Sequence, residues 1–178
     1  MRTFGIDPGS ARTGYGCVET VGSRHRVITC GAIATSVHAP FADKLLQIHR
    51  QLTALIQECR PDWVAVENLF HAVNVRSALK LGHARGVAML AAVEAGVPVI
   101  EYTPAEIKRA VVGYGRAEKQ QVQHMVKMLL GLPAPPSPHD AADALAVAIC
   151  HVHSFVPARL AETSPGRTKA TSWRKAIL

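Results

Sequence analysis

Arg2-Thr3-Phe4-Gly5-Ile6-Asp7-Pro8-Gly9-Ser10, followed by Thr13-Gly14-Tyr15-Gly16-Cys17-Val18-Glu19-Thr20, is the stretch on which the fold turns. The first run is apolar and strand-like, and Pro8-Gly9-Ser10 has the chemistry of a turn. Strands are therefore predicted over residues 2–7 and 13–20, with a third over 25–35 after a second turn at Gly22-Ser23. Their closeness predicts an antiparallel meander. Asp7 closes the first strand, where a carboxylate emerges at the edge of a sheet.

Further along, Phe41, Leu45, Ile48, Leu52, Leu55 and Ile56 recur at helical spacing, so residues 41–59 read as a helix that Pro61 ends. Residues 63–66 form a short apolar strand closed by Glu67, a helix over 75–95 stops at Gly96, and 97–102 is a fifth strand. Thr103-Pro104-Ala105-Glu106 opens the next helix, with Thr as N-cap, Pro at the first position and Glu completing a capping box. A helix over 117–130, a rigid proline-rich connector over 133–138 and an alanine-rich helix over 139–154 complete the order. Small side chains let that last helix lie close against a sheet. The order β-β-β-α-β-α-β-α-α-α predicts an α/β fold, a five-stranded mixed sheet flanked by helices, which is the pattern of a ribonuclease-H-like domain.

Composition narrows the functional classes. With 178 residues and 48% hydrophobic content, the chain is expected to form one domain with its own core, over residues 1–155. No apolar run is long enough to cross a membrane, and the N-terminus enters a strand directly rather than a secretory signal. Cys17, Cys30, Cys59 and Cys150 are scattered without a Cys-x-x-Cys pair, as expected of reduced thiols in a cytoplasmic protein. The net charge is +7, and residues 156–178 hold five Lys/Arg against Glu162. That segment, rich in Pro, Ser, Thr and basic residues, is expected to be a disordered tail. A modestly basic surface around an acidic centre suits a polyanionic substrate.

The acidic centre is the set Asp7, Glu67, Asp140 and Asp143. Asp140 and Asp143 open the last helix three residues apart, so they project from nearly the same face. Taken singly, each has an ordinary reading: Asp7 and Glu67 as strand-end or turn acids, Asp140 and Asp143 as partners of the helix macrodipole. Together they converge if the first and fourth strands are neighbours and the last helix crosses them. Four carboxylates in one cleft raise each other's pKa, and divalent cations with oxygen ligands, Mg²⁺ or Mn²⁺, relieve that repulsion. Two such ions can activate water and stabilise a departing 3′ oxygen.

The chain closely resembles the RuvC family of Holliday-junction resolvases from about residue 2 to 154. The resemblance rests on Gly5-Ile-Asp-Pro-Gly-Ser10 with Thr13-Gly14-Tyr-Gly16, Glu67-Asn-Leu-Phe70 and Ser77-Ala-Leu-Lys-Leu-Gly82. It continues through Ala84-Arg-Gly86, Lys108 with Val112-Gly-Tyr-Gly115, Ala117-Glu-Lys119 and Asp140-Ala-Ala-Asp-Ala-Leu145. It implies a homodimeric, Mg²⁺-dependent endonuclease of recombination and repair, with two ions per site and Mn²⁺ as a substitute. Such an enzyme nicks two opposing strands of a four-way DNA junction and leaves 5′-phosphate and 3′-hydroxyl ends. Asp7, Glu67, Asp140 and Asp143 fall on the family's acidic tetrad, and cooperation with the RuvA and RuvB branch-migration proteins is implied.

For DNA contacts, the resemblance makes Phe70 a base-stacking wedge, against a plain reading as a minor core residue. Lys108 and Lys119 match basic positions facing the cleaved strand, against a reading as solvated helix lysines. Arg76, Lys80, Arg85 and Arg109 are further candidates for phosphate contacts. Some family members carry histidine where Asp140 stands, and His139 precedes it here; His139 reads as a helix-start residue or as a proton-transfer group. Gly82 and Gly86, with Ala78, form a small-residue stripe that fits either a dimer contact or tight packing within one chain. Two other classes fit the sequence less well. An ATPase of the actin and sugar-kinase type needs a second phosphate loop for which this length leaves no room. A silent junction-binding module gains nothing from four clustered acids.

Overall fold

The computed structural model describes residues 1–68 and 74–162, with side chains as far as Phe155. Five strands form one sheet: β1 (Arg2–Asp7), β2 (Arg12–Val21), β3 (Arg24–Ala34), β4 (Trp63–Glu67) and β5 (Val99–Tyr102). Their order is β3-β2-β1-β4-β5. The meander β1-β2-β3 is antiparallel, whereas β1-β4 and β4-β5 are parallel; α1 (Phe41–Cys59) carries the chain from β3 to β4, and α2 (Val75–Glu94) carries it from β4 to β5. Three further helices follow, α3 (Pro104–Val112), α4 (Lys119–Leu129) and α5 (His139–Glu162).

The sheet separates two cores. On one face Phe4, Ile6, Val64 and Val66 pack with Leu52 of α1 and Ala91 of α2. On the other, Val18 and Ala65 meet Leu145 and Ile149 of α5, with Ile107 and Val126 from α3 and α4. Leu145 and Leu52 are fully buried, and burial of a side chain of this size contributes about 1.5–3 kcal/mol.

α5 runs along the middle of its face, antiparallel to β1, and glycine makes that approach possible. A Cβ on Gly5 would overlap the carbonyl oxygen of Ala144, and one on Gly14 would overlap that of Asp140. On the helix side Ala141, Ala144 and Ala148 are fully buried. Backbone therefore meets backbone, as the alanine-rich pattern predicted.

Element boundaries match the sequence reading to within one residue, with three larger differences. β5 begins at Val99 rather than at 97, because the Val97 N–H is taken by the Ala92 carbonyl at the end of α2 (3.0 Å). α4 begins at Lys119 rather than at 117; Glu118 is its N-cap, and the Gln121 side chain accepts from the Glu118 N–H (2.9 Å). α5 continues to Glu162, past the boundary at 155, since Ala158-Arg159-Leu160-Ala161-Glu162 are all strong helix formers that outweigh Pro157. The remaining tail residues lie outside the described residues. The capping box of Thr103 and Glu106 forms as predicted, with the Glu106 carboxylate accepting from the Thr103 N–H (2.8 Å).

The outer face of α2 is open. Leu79 and Leu90 are 59% and 50% exposed. They border a shallow groove of about 510 Å³ that Leu45, Gly82, Gly86 and Val87 also line. A Cβ on Gly82 or Gly86 would meet nothing within 4 Å, so packing within the chain does not require these glycines. No helix among the described residues is long and apolar enough to cross a membrane.

Candidate active site

β1 and β4 are parallel neighbours with Ile6 opposite Val66, so Asp7 and Glu67, the next residue of each, leave the sheet at the same edge. Strand alternation sets the face. Phe4, Ile6, Val64 and Val66 point toward α1 and α2, which turns Gly5, Asp7, Ala65 and Glu67 toward α5. The turn after Asp7 is closed by Thr13, whose buried hydroxyl donates to the Gly9 carbonyl (2.8 Å) and accepts from the Gly9 N–H (3.4 Å).

α5 supplies the other two acids. Its close contact with Gly14, the register partner of Asp7, places Asp140 at the same sheet edge, and Asp143 follows one turn later. Asp7, Glu67 and Asp143 line one cavity of about 310 Å³, with Lys108 and Ile107 from α3 and Lys119 and Val122 from α4. Asp140 stands at the rim, where its carboxylate lies 3.8 Å from the Arg12 guanidinium.

Burial and mutual repulsion strain the ionised forms of Asp7 and Glu67. The Asp7 carboxyl is pushed up to about 8, first by burial and then by the charge of Glu67, with Asp143 and Asp140 adding to it. Glu67 is also raised, again chiefly by burial. Asp7 and Glu67 hydrogen-bond each other through their side chains, so at neutral pH the pair keeps a proton between them. Lys119 is the main local counterweight: its Nζ lies 2.6 Å from Asp143 Oδ2, and that bond raises the lysine's own pKa.

The donor set fits a hard divalent cation. All four candidate groups are carboxylates, and the proton shared by Asp7 and Glu67 marks where positive charge is lacking. As they stand, no three Asp, Glu, His or Cys side chains among the described residues form a ready-made ligand set. Asp143 is turned to Lys119 and Asp140 to Arg12 instead.

The remaining candidates divide. Lys108 and Lys119 reach the cavity, while Arg76 and Lys80 sit exposed on α2 outside its lining, with Lys80 Nζ 5.9 Å from the Phe41 ring centroid. Arg85, considered as a phosphate contact, instead forks onto a single oxygen of Glu101 on β5, an intramolecular ion pair that occupies its guanidinium. Arg109 is exposed on α3, and Phe70 lies outside the described residues. His139 Nδ1 accepts from the Gln123 side chain (2.9 Å), which ties the start of α5 to α4. Arg12 was not singled out from the sequence. Its signal was position: it follows the turn after Asp7 by two residues and so begins β2 at the same edge.

A family model described as Crossover junction endodeoxyribonuclease RuvC matches residues 3–151. The chain belongs to the RuvC family. RuvC of Syntrophotalea carbinolica is 57% identical over 155 residues, which is 87% of this chain and 96% of that protein. The family-model match, residues 3–151, spans all four acids and both cavity lysines. Among solved structures, RuvC of Thermus thermophilus superposes with a TM-score of 0.82 at 37% identity, covering 89% of this chain and 97% of that one. T. thermophilus RuvC in complex with Holliday junction substrate gives 0.84 at 36% identity, over 89% and 96%. The five-stranded mixed sheet with helices on both faces is the ribonuclease-H-like fold of RuvC.

Proposed function

We propose that this chain resolves four-way DNA junctions with Asp7, Glu67, Asp140 and Asp143 as its catalytic tetrad and divalent-metal ligands, Mg²⁺ in the cell with Mn²⁺ able to replace it. The observation that carries the reading is the meeting of four carboxylates from β1, β4 and α5 at one sheet edge, beside two lysines, in a member of the RuvC family. When bound, two divalent cations would supply charge stabilisation at the attacking and departing oxygens of an in-line displacement, leaving 5′-phosphate and 3′-hydroxyl ends.

The chain's own groups do the rest. Asp7 and Glu67 give up their shared proton and become acceptors. Lys108 and Lys119, on separate helices across the cavity, hold the phosphate flanking the cut and offset its charge. Ile107 and Val122 form the apolar wall that limits water around the reacting group. Phe70 is proposed to stack on a base beside the cut, where aromatic stacking contributes roughly 1–3 kcal/mol per base. Arg76 and Lys80 are proposed to track more distant phosphates, and the basic tail to add nonspecific affinity.

Two opposing cuts need two sites, and each chain has one tetrad. A two-fold homodimer through the α2 groove is the arrangement we propose, because the open Gly82 and Gly86 allow a partner helix to approach closely. The cytoplasm is the proposed compartment, and RuvA and RuvB the proposed partners in processing the junction.

The test is cleavage of a mobile synthetic four-way junction in Mg²⁺ by the wild-type chain and by Asp7→Asn. Paired symmetric nicks that vanish in the variant while junction binding persists are expected. Binding without cleavage by the wild type, in either metal, would leave only a junction-binding module.

A further inference from the structure

Both acids of α5 are held by cations of the chain itself. Lys119 Nζ lies 2.6 Å from Asp143 Oδ2, and Arg12 Nη1 lies 3.8 Å from Asp140 Oδ2. The two cations come from different elements, Arg12 from the start of β2 and Lys119 from the first residue of α4. Local structure does not account for Lys119. A positive charge in the first turn of a helix opposes the macrodipole, and this side chain is 61% exposed and free to extend into water. Lys108 provides the contrast: it lines the same cavity yet forms no ion pair with an acid among the described residues.

We infer that Arg12 and Lys119 are exchangeable counter-cations, which hold Asp140 and Asp143 while divalent ions are absent and release them when the ions bind. The inference rests on the tetrad being the metal site. An ammonium bonded to a carboxylate and a divalent ion ligated by that same carboxylate repel each other at short range, so one of them leaves. The absence of a ready-made ligand set follows, because each α5 acid is turned toward its own cation. The exchange also has a second half. Once released, Lys119 has no acid left to hold it and faces the cavity that a phosphate would enter. Arg12, 57% exposed beside Asp140, is then free to serve as a phosphate contact.

The exchange predicts a competition that can be read without DNA and without turnover. Titration calorimetry of Mn²⁺ into the full chain would compare wild type with Lys119→Met, Arg12→Met and Lys108→Met. Lys119→Met is expected to bind Mn²⁺ about fivefold more tightly, the size of effect an exposed ion pair has at its upper range. The longer Arg12 contact predicts a smaller gain, about twofold. Lys108→Met measures what loss of a nearby charge does by itself. A gain in Lys119→Met no larger than in Lys108→Met overturns the exchange. So does an Mn²⁺-loaded crystal structure in which Lys119 Nζ still sits on Asp143. If Asp7→Asn leaves wild-type Mn²⁺ binding unchanged, the tetrad reading fails, a result distinct from failure of the exchange alone.

Discussion

Gly14 on β2 lies so close to Asp140 on α5 that a Cβ at position 14 would overlap the Asp140 carbonyl oxygen. The glycine therefore sets the depth at which one acid of the site sits.

Gly14→Ala is accordingly expected to push the first turn of α5 away from the sheet. Overpacking of this kind costs about 1–3 kcal/mol. For a chain of this size, each 1 kcal/mol lowers the melting temperature by about 2–4 °C. Junction cleavage should fall far more than stability, by at least about 100-fold, because misplacing reacting groups by about 1 Å has that effect. Melting curves and single-turnover cleavage rates check the pair of expectations. A variant that melts lower but cuts at the wild-type rate would separate Gly14 from the site.

Asp7 makes a pH-dependent contribution whose sign follows from its raised carboxyl. The folded protein holds that proton up to about 8, against the ordinary value of 3.8. The stabilisation is therefore complete below pH 3.8 and is lost as pH rises through about 8. In EDTA, Asp7→Asn should melt higher than wild type at pH 8, with the gap closing as pH falls toward 5. Mn²⁺ binding by the wild type at pH 7 should release about one proton, seen as a buffer-dependent enthalpy. Equal melting of the two proteins at pH 8 would contradict a strained acidic cluster.

The open α2 groove predicts the effect of a charge placed in it. A Cβ at position 86 meets nothing within 4 Å and the groove is open to solvent, so Gly86→Arg should still fold. A two-fold contact through this groove would gain two opposed guanidinium groups and come apart. Light scattering should then report a monomer, and junctions should receive single rather than paired nicks. A variant that stays dimeric would move the interface elsewhere.

His151 sets an acid limit. It is 2% exposed, shares a 2.9 Å hydrogen bond with the Tyr102 hydroxyl through Nδ1, and leaves Nε2 without a hydrogen-bond partner among the described residues. Burial lowers its pKa from 6.5. Its contribution is thus present above pH 6.5 and is lost as pH falls through the lower folded value. His151→Gln should cost about 1 kcal/mol at pH 7.5 but flatten the loss of stability between pH 6.5 and 5 by about one proton. An unchanged acid slope would assign that loss to another group, with His25, also lowered by burial, the next to test.

The fold was largely legible because its signals are local: Pro8-Gly9 and Gly22 punctuate the meander, Thr103-Pro104 starts α3, and Ala141, Ala144 and Ala148 mark a helix seated on a sheet. The acids were legible for the same reason, each ending a strand or opening a helix. Arg12 and Gln123 were not. Their roles come from Asp140 and His139, which are far away in sequence, and neither carries a local pattern. The Arg85–Glu101 ion pair was not legible either, since Glu101 lies on a strand whose register the sequence did not specify. The end of α5 was less legible because the Pro, Ser, Thr and basic content after 155 reads as a tail, whereas the helix formers at 158–162 prevail in the folded chain.

α5 and β4 meet at two places. Asp143 shares the cavity with Glu67 at one end of the strand, and the His151 ring lies 5.1 Å from that of Trp63 at the other. Eight helical residues rise about 12 Å, and four strand residues span about 13 Å. The two elements thus work like a matched pair of rulers. An inserted or deleted residue between Asp143 and His151 would rotate one end of α5 by about 100° relative to the other. Either the acids or the aromatic cluster would lose its seat. Beyond the burial of every side chain from Ala144 to Cys150, the length of this stretch in codons is itself locked to that of the strand beneath it.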